Sequence, residues 1–378
     1  MLKKDDRRQQ MVYYQAGIGT YTSPHIATPI VNKMSKIMDG AVAWNLSAHV
    51  LAGYEFLMQN YEAGDKICIF GFSRGAYTAR ALAGMISTVG VLPACNHQQV
   101  PFAYKMYKTK NWHQTSKFRE TFSMDVPIEF LGVWDTVSSV GIIGRSLPFT
   151  MQCRTLKTFR HAISADERRA KFKPNLFRHP GDSPWQTDVR EVWFAGCHCD
   201  VGGGSVKNDV EHNLARIPLR WMIRECFRTN TGILFLTKSL RDISLDPDSV
   251  YPEVIVRPEP LYTPPILPPV AKKQKRALTE EEADAIDALC PIYDQLRLKP
   301  FWWMLEMMPV KRWVRTEEKK WLKEYTFMNL GRGRKLYREG SDGLFLHRTM
   351  KIRMEALDLK DGPYLPRAKF QTEPTWVD

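Results

Sequence analysis

The pentapeptide Gly71-Phe72-Ser73-Arg74-Gly75 has the G-x-S-x-G pattern, in which small residues lie two positions before and after a serine. Such glycines let the backbone turn sharply from a strand into a helix, so that the serine hydroxyl stands exposed and can attack an acyl carbonyl. An apolar run precedes the pattern, and the helix-forming AYTARALAG follows it. This context favours a nucleophilic serine at position 73. The alternative is an ordinary glycine-rich turn that binds an anion at the helix start.

A serine nucleophile needs a histidine to accept its proton and a carboxylate to orient that histidine. Asp135 directly follows the apolar run IEFLGVW, and His198 follows EVWFAG by two residues. Their positions agree with a chain order of serine, then acid, then histidine. Asp135 could instead be a turn or cap carboxylate, and His198 a structural histidine. His347, after the run LFL, is the alternative base.

The backbone N–H of Arg74 is the expected oxyanion donor, because it belongs to the residue after the nucleophile. A second donor would come from Gly17 or Gly19, in the early glycine-rich loop GIGT. The Arg74 side chain could hold an acidic group of the substrate or form a structural ion pair.

A second glycine-rich loop, CDVGGG, follows His198. Its Gly202 and Gly203 would let the backbone approach a substrate closely. Asp200 could act as the catalytic acid, but we expect it to hold this loop through backbone hydrogen bonds.

Short apolar runs alternate with helical periodicity along the first two thirds of the chain. The predicted strands are Met11–Gln15, Ile67–Phe70, Ile128–Trp134 and Glu191–Gly196, and the predicted helices are Ala43–Asn60, Tyr77–Val89, Lys157–Arg169 and Ile217–Arg228. Buried strands that alternate with helices predict an α/β fold with a mostly parallel sheet flanked by helices. His161, Asp166 and Glu167 fall in a predicted helix, where packing or a surface salt bridge is expected.

The composition changes after about Ser239. The segment from Pro247 to Pro269 is rich in proline, and a helix is predicted from Thr279. We therefore divide the chain into an α/β core at 1–238, a proline-rich and basic or aromatic helical excursion at 239–345, and a segment returning to the core at 346–378. The excursion could be a lid or a solvated connector.

Aromatic and basic residues interleave at 299–338, including Trp302, Trp303, Trp313 and Trp321. This pattern predicts peripheral contact with an anionic membrane surface. The alternative is a packed helix whose tryptophans belong to the core.

The 378 residues carry a formal charge of +13, which favours anionic partners. No recognisable nucleic-acid-binding module accompanies this charge, so nucleic acid is not expected. The seven irregularly spaced cysteines do not form a disulfide framework, and Cys197 and Cys199 make a poor zinc site. No secretory signal or apolar run of about 20 residues is visible. We expect a cytoplasmic protein that can bind membranes peripherally and needs no cofactor or metal. The oligomeric state stays open.

Several strings resemble the α/β-hydrolase catalytic domain related to type VI secretion phospholipase effectors, a family with many fungal members. They are GFSRGAYTARALAG, FLGVWDTVSSVG, HAISADERR, EVWFAGCHCDVGGG, IPLRWMIRE and GRGRKLYREG…HRTM, spanning about Gln10 to Lys369. The resemblance implies a hydrolase-like fold and a lipid or ester substrate. It also implies a Ser–Asp–His triad of Ser73, Asp135 and His198.

Family members begin with a strand that ends in an Asp-Gly-Thr loop, upstream of the segment matching VYYQAGIGT. We expect this first strand to be missing here, together with the oxyanion donor that it would bring. The loss of one donor typically costs about a hundred- to a thousand-fold in rate. The alternative function is therefore a catalytically impaired module that binds lipid or a protein partner.

Overall fold

The computed structural model describes residues 1–17, 39–109, 111–137, 153–177, 186–264, 277–300, 302–307, 310–315, 321–326, 329–336, 343–357, 359–360, 362–370 and 373–378. The chain forms two compact units. The first comprises Met1–His161, Asn175–Glu191 and Met222–Ile255, and the second comprises Ala162–Pro174, Val192–Trp221 and Val256–Asp378. The three-part division at 238 and 345 stays a prediction.

Helices and strands are numbered in chain order within the described residues. The helices are α1 Asp39–Asn60, α2 Arg74–Val89, α3 Val100–Thr109, α4 Trp112–Phe122, α5 His198–Gly202, α6 Arg216–Arg228, α7 Thr237–Arg241, α8 Glu280–Ala288, α9 Gln295–Leu298, α10 Trp302–Glu306 and α11 Thr349–Glu355. The strands are β1 Ile67–Phe72, β2 Ile128–Trp134, β3 Leu156–Ser164, β4 Asp188–Phe194, β5 Val310–Arg315, β6 Trp321–Thr326, β7 Lys335–Leu336, β8 Phe345–His347, β9 Lys369–Phe370 and β10 Thr375–Val377.

Among the residues that the structure describes, the main sheet has six strands in the order β1-β2-β3-β4-β8-β10. β1 runs parallel to β2, and β8 runs parallel to both β4 and β10. Helices flank this mostly parallel sheet, so the expected α/β fold class is confirmed. The described part of the chain also contains the antiparallel pair β5–β6 and the parallel pair β7–β9.

In the first unit, helix α2 packs against β1 and β2, and α1 packs against α2. Small side chains permit this close approach, because Ala76, Ala79 and Ala83 are all buried. On β2, a Cβ at Gly132 would lie 2.7 Å from the Phe70 ring and 2.8 Å from the Met222 sulfur. Glycine at this position therefore leaves room for packing on the face of the sheet.

The helix predicted over Lys157–Arg169 is wrong, because Leu156–Ser164 form strand β3. The predicted helix came from apolar residues that recur here at helix-like spacing. β3 is an interior strand, and all of its residues except Lys157 are buried. Burial on both faces removes the two-residue period by which a strand is recognised.

The strand predicted at Met11–Gln15 is also wrong, since this segment has irregular backbone. Its apolar side chains are exposed, up to 84% for Tyr14. The segment therefore lacks the buried face that stabilises a strand, despite its favourable composition. Tyr13 instead stacks on the Phe56 ring at 4.5 Å between centroids.

The helix predicted from Thr279 is confirmed as α8. Thr279 Oγ1 accepts from Glu282 N–H at 3.2 Å, and the Glu282 carboxylate accepts from Thr279 N–H at 3.0 Å. This reciprocal capping box satisfies two backbone donors at the helix start. In the described part of the proline-rich segment, the regular structure is the short 3₁₀ turn Pro247–Ser249.

Segment 299–338 is not one packed helix, because helix α10 is followed by the ladder β5–β6. Trp302 meets Phe172 edge-on at 5.5 Å, whereas Trp303 is 38% exposed. The side chains of Trp313 and Trp321 lie outside what the structure describes. Membrane contact through this segment stays a prediction. No helix in the described part of the chain has both the length and the apolar character to cross a bilayer.

Candidate active site

Ser73 lies between β1 and α2, with φ 59° and ψ −121°. A positive φ is unfavourable for a residue with a Cβ, costs on the order of 1–3 kcal/mol, and persists only where the surrounding structure enforces it. Ser73 N–H donates to Trp134 O on β2 at 3.0 Å, and Ser73 O accepts from Tyr77 N–H at 3.3 Å. The strand–turn–helix context that the G-x-S-x-G pattern requires is therefore present at Ser73.

The two glycines of the pattern contribute differently to this turn. A Cβ at Gly71 would lie 2.4 Å from Gly75 O and 2.7 Å from both Ala76 N and Ala76 Cα. A Cβ at Gly75 would meet no atom within 4 Å. Gly71 is therefore required by the close approach of the strand to the first turn of α2, whereas Gly75 is not required on steric grounds.

Asp135 directly follows β2 in the same unit and is fully buried, with φ 39°. Because Phe72 pairs with Trp134 in the parallel β1–β2 ladder, Ser73 and Asp135 leave adjacent strands at the same level of the sheet. The structure thus brings the predicted nucleophile and acid to neighbouring strand ends. It places both of them in strained backbone.

The turn that carries Asp135 is held at the next residue. Thr136 N–H donates to His161 Nε2 at 3.0 Å, and Thr136 O accepts from Asn175 N–H at 2.9 Å. Because His161 Nε2 is an acceptor, the neutral ring carries its proton on Nδ1 and donates it to Glu191 Oε1 at 2.9 Å. Burial lowers the pKa of His161, and the hydrogen bond to Glu191 acts in the opposite direction.

His161 is thus a residue whose role the sequence missed. It was expected on a helix, in packing or a surface salt bridge, but it lies fully buried on β3. Recognition of β3 as an interior strand would have shown that His161 is a polar residue inside the sheet.

His198 lies in the second unit, at the start of α5, and is 4% exposed. Its backbone N–H donates to Glu167 Oε2 at 3.3 Å, and its ring meets Phe172 edge-on at 4.9 Å. The Arg169 guanidinium lies over the same Phe172 ring at 3.5 Å and is bound by Glu167 at 2.8 and 2.9 Å. A buried ion pair and an aromatic ring therefore fix the surroundings of His198.

Ser73 and Asp135 belong to the first unit, and His198 belongs to the second. The assignment of the three residues as one triad stays a prediction.

Asp200 is engaged by its own loop and by a neighbouring segment of the second unit. Its Oδ2 accepts from Cys197 N–H at 2.9 Å and from Tyr293 N–H at 3.0 Å, and its Oδ1 accepts from the Ser205 hydroxyl at 2.6 Å. Burial raises the pKa of Asp200, whereas these hydrogen bonds lower it. The carboxylate ties residues on both sides of His198 to each other and to Tyr293.

Asp166, which follows β3, is a second buried carboxylate that the sequence placed on a helix. It accepts from Gly196 N–H at 2.6 Å, from the Tyr364 hydroxyl at 2.8 Å and from Arg367 N–H at 3.0 Å. Burial raises its pKa, and the backbone hydrogen bonds act in the opposite direction. The contacts join the ends of β3 and β4 to the C-terminal part of the second unit.

His347, the alternative base, lies on β8 and is 2% exposed. Its ring stacks on Phe194 at 4.8 Å, and its Nδ1 accepts from Thr349 N–H at 3.4 Å. Burial lowers the pKa of His347 to about 4. Such a weakly basic imidazole is poorly matched to proton abstraction near neutral pH.

The remaining predicted binding residues are partly described. Gly17 lies in irregular, exposed backbone, and Gly19 lies outside the described residues. Gly202 ends α5, and Gly203 has φ 92°, a conformation that glycine adopts without strain. Arg74 is the first residue of α2; burial lowers the pKa of its guanidinium.

Comparison with known families gives a match over residues 1–225 to the family described as T6SS, Phospholipase effector Tle1-like, catalytic domain. The chain belongs to this family. A curated relative, the uncharacterized protein YEL023C of Saccharomyces cerevisiae, is 36% identical over an alignment of 197 residues, and the match covers 47% of this chain and 29% of that protein. The chain thus matches less than a third of the length of that relative.

Two solved structures are also similar to this chain. One is an uncharacterized protein from Pseudomonas aeruginosa, with 21% identity, a TM-score of 0.30, and coverage of 56% of this chain and 31% of that chain. The other is the Tle1 effector bound to the VgrG spike from the Type 6 secretion system. Its identity is 14%, its TM-score is 0.31, and the match covers 58% of this chain and 59% of that chain.

Proposed function

We propose that this protein is a serine hydrolase of carboxylic esters, in particular phospholipid acyl esters, with Ser73 as the nucleophile. The observation that carries the proposal is the backbone of Ser73, with φ 59° between a parallel strand and a helix. A strained turn at this position is how such a fold lifts a serine hydroxyl clear of the sheet. Membership of a phospholipase effector family supports a lipid ester as the substrate class.

In the proposed reaction, Ser73 Oγ attacks the acyl carbonyl carbon while the His198 imidazole accepts the hydroxyl proton. The tetrahedral oxyanion collapses and expels the alcohol, which takes the proton from His198. Water then attacks the acyl-serine by the same route and releases the fatty acid. Asp135 orients the imidazole and stabilises its protonated form.

The backbone N–H of Arg74 is the proposed oxyanion donor, and Gly17 or Gly19 would bring the second. Arg74 N–H lies in the first turn of α2, where helix amides lack intrahelical partners. The Arg74 side chain is proposed to hold an acidic group of the substrate, because Arg74 begins the helix that directly follows Ser73. Asp200, Gly202 and Gly203 are proposed to shape the loop beside the base.

Segment 299–338 is the proposed contact with anionic membrane surfaces, where a lipid hydrolase would meet its substrate. The proposal includes a cytoplasmic location, with peripheral binding to membranes.

A serine-directed fluorophosphonate probe tests the proposal. The purified chain, Ser73→Ala and the exposed-serine control Ser116→Ala would be treated with the probe, and fatty acid release from phosphatidylglycerol vesicles would be measured in parallel. We expect wild type and Ser116→Ala to react and to release fatty acid, and Ser73→Ala to do neither.

A well-folded wild-type chain that neither reacts with the probe nor releases fatty acid would instead support the alternative, a lipid- or protein-binding module. Labelling that persists in Ser73→Ala would place the nucleophile elsewhere.

A further inference from the structure

A series of buried polar contacts in the first unit joins helix α2 to the turn after β2. The Arg80 guanidinium, on α2, donates to Asn175 O, and Asn175 N–H donates to Thr136 O at 2.9 Å. Thr136 N–H in turn donates to His161 Nε2 at 3.0 Å. The helix that begins at the candidate nucleophile is therefore connected, contact by contact, to the turn that carries the candidate acid.

The series ends at Glu191 on β4. Its Oε1 accepts from His161 Nδ1–H at 2.9 Å and from Phe177 N–H at 3.0 Å. Glu191 is 1% exposed and His161 is 0% exposed, so water does not replace these partners. A buried amide left without an acceptor is unfavourable, so the loss of either side chain would disturb the turn.

The hydrogen bond between Thr136 N–H and His161 Nε2 depends on the tautomer of His161. Only the form with its proton on Nδ1 presents a lone pair on Nε2 to Thr136 N–H, and the Glu191 carboxylate selects that form. Glu191 therefore acts on the turn through His161, as a carboxylate behind a metal-bound histidine fixes that ring.

We propose that His161 and Glu191 are positioning residues for the acid: they hold Thr136 N–H and thereby keep the preceding Asp135 at φ 39°, in its buried orientation. This rests on the proposed function, in which Asp135 orients the catalytic imidazole. Without the acceptor at His161, the turn relaxes toward ordinary backbone and the carboxylate moves. A displacement of about 1 Å of a catalytic group lowers the rate by about a hundredfold.

A double-mutant cycle separates positioning from a general structural role. The variants are His161→Leu, which lacks the acceptor; His161→Gln, which retains one; Asp135→Asn; and both His161 variants combined with Asp135→Asn. Ile163→Val, another buried change on β3, is the control for destabilisation alone. The readouts are kcat and KM for a p-nitrophenyl ester, measured below the melting temperature of each variant, and the rate of fluorophosphonate labelling.

We expect His161→Leu to lower kcat about a hundredfold with little change in KM. We expect His161→Gln to recover much of that loss, and Ile163→Val to have no effect on kcat. In the Asp135→Asn background, the same His161 changes should alter the rate by less than about threefold, because the group that they position is already gone. If His161→Leu does not fold, His161→Gln and Glu191→Gln complete the cycle, with smaller losses that again vanish beside Asp135→Asn.

The outcomes are distinguishable. An active enzyme in which Asp135→Asn is fully active contradicts the role of Asp135 in the proposed function. A strong effect of Asp135→Asn, combined with equal effects of the His161 variants in both backgrounds, overturns the positioning role and leaves the proposed function standing.

Discussion

Replacement of Gly71 by alanine should destabilise the turn at Ser73. The new Cβ would lie 2.4 Å from Gly75 O, which is 0.6 Å closer than the 3.0 Å below which real Cβ contacts essentially do not occur. The obstructing atoms belong to the backbone of the first turn of α2, so a side-chain rotation cannot relieve the overlap. Overpacking of this kind costs about 1–3 kcal/mol. Alanine also lowers the conformational entropy of the unfolded chain relative to glycine, which raises the free energy of unfolding by about 0.4–1 kcal/mol.

The net loss expected for Gly71→Ala is therefore roughly 1–2 kcal/mol. Gly75→Ala is the matched control: it makes the same chemical change four positions later, within α2, where the added Cβ meets no atom within 4 Å. Alanine favours helix over glycine by up to about 1 kcal/mol, so this variant should be as stable as wild type or more stable.

Urea unfolding followed by circular dichroism would measure both variants, and fluorophosphonate labelling would report the geometry at Ser73. We expect a lower unfolding midpoint and slower labelling for Gly71→Ala, and an unchanged or higher midpoint for Gly75→Ala. Equal stability and equal labelling of Gly71→Ala and wild type would refute the steric reasoning.

Two further predictions concern the second unit. The pKa of His347 lies near 4 in the folded chain, against 6.5 for an unperturbed histidine, so the unfolded state binds the extra proton first. The corresponding stability, roughly 3 kcal/mol, is present above about pH 6.5 and is lost as the pH falls through 4. His347→Gln should flatten the pH dependence of the thermal midpoint between these two pH values and leave fluorophosphonate labelling intact. Loss of labelling in a folded His347→Gln variant would instead support His347 as the catalytic base. Thr279→Ala removes the side-chain cap of α8 and should lower the free energy of unfolding, measured in urea, by about 1 kcal/mol. Thr279→Ser retains a hydroxyl and should restore most of this loss. An unchanged unfolding midpoint in Thr279→Ala would show that the cap contributes nothing.

Local sequence is sufficient to predict an element when all the residues that determine it lie in one short segment. β1 and β2 were predicted from apolar runs bounded by glycine or aspartate, and α8 from a capping box within four residues. The G-x-S-x-G turn is local in the same sense, because the steric conflict that requires Gly71 lies with Gly75 and Ala76.

The errors arose where the surroundings of a segment outweigh its own pattern. Met11–Gln15 has strand-like composition but exposed side chains, and Leu156–Ser164 has helix-like spacing but forms an interior strand. The helix-like spacing therefore predicts His161 on a helix face, whereas it lies buried within the sheet.

The sequence by itself determined the strand–turn–helix at Ser73, the order of the candidate acid and base, and the α/β class, because each depends on residues close together in the chain. Only the tertiary structure decided what surrounds them. The contacts that hold Asp135 come from Thr136, His161, Asn175 and Glu191, which lie on separate segments. Folding brings these segments together because their buried polar groups must find partners, and no local pattern records which partner each one takes.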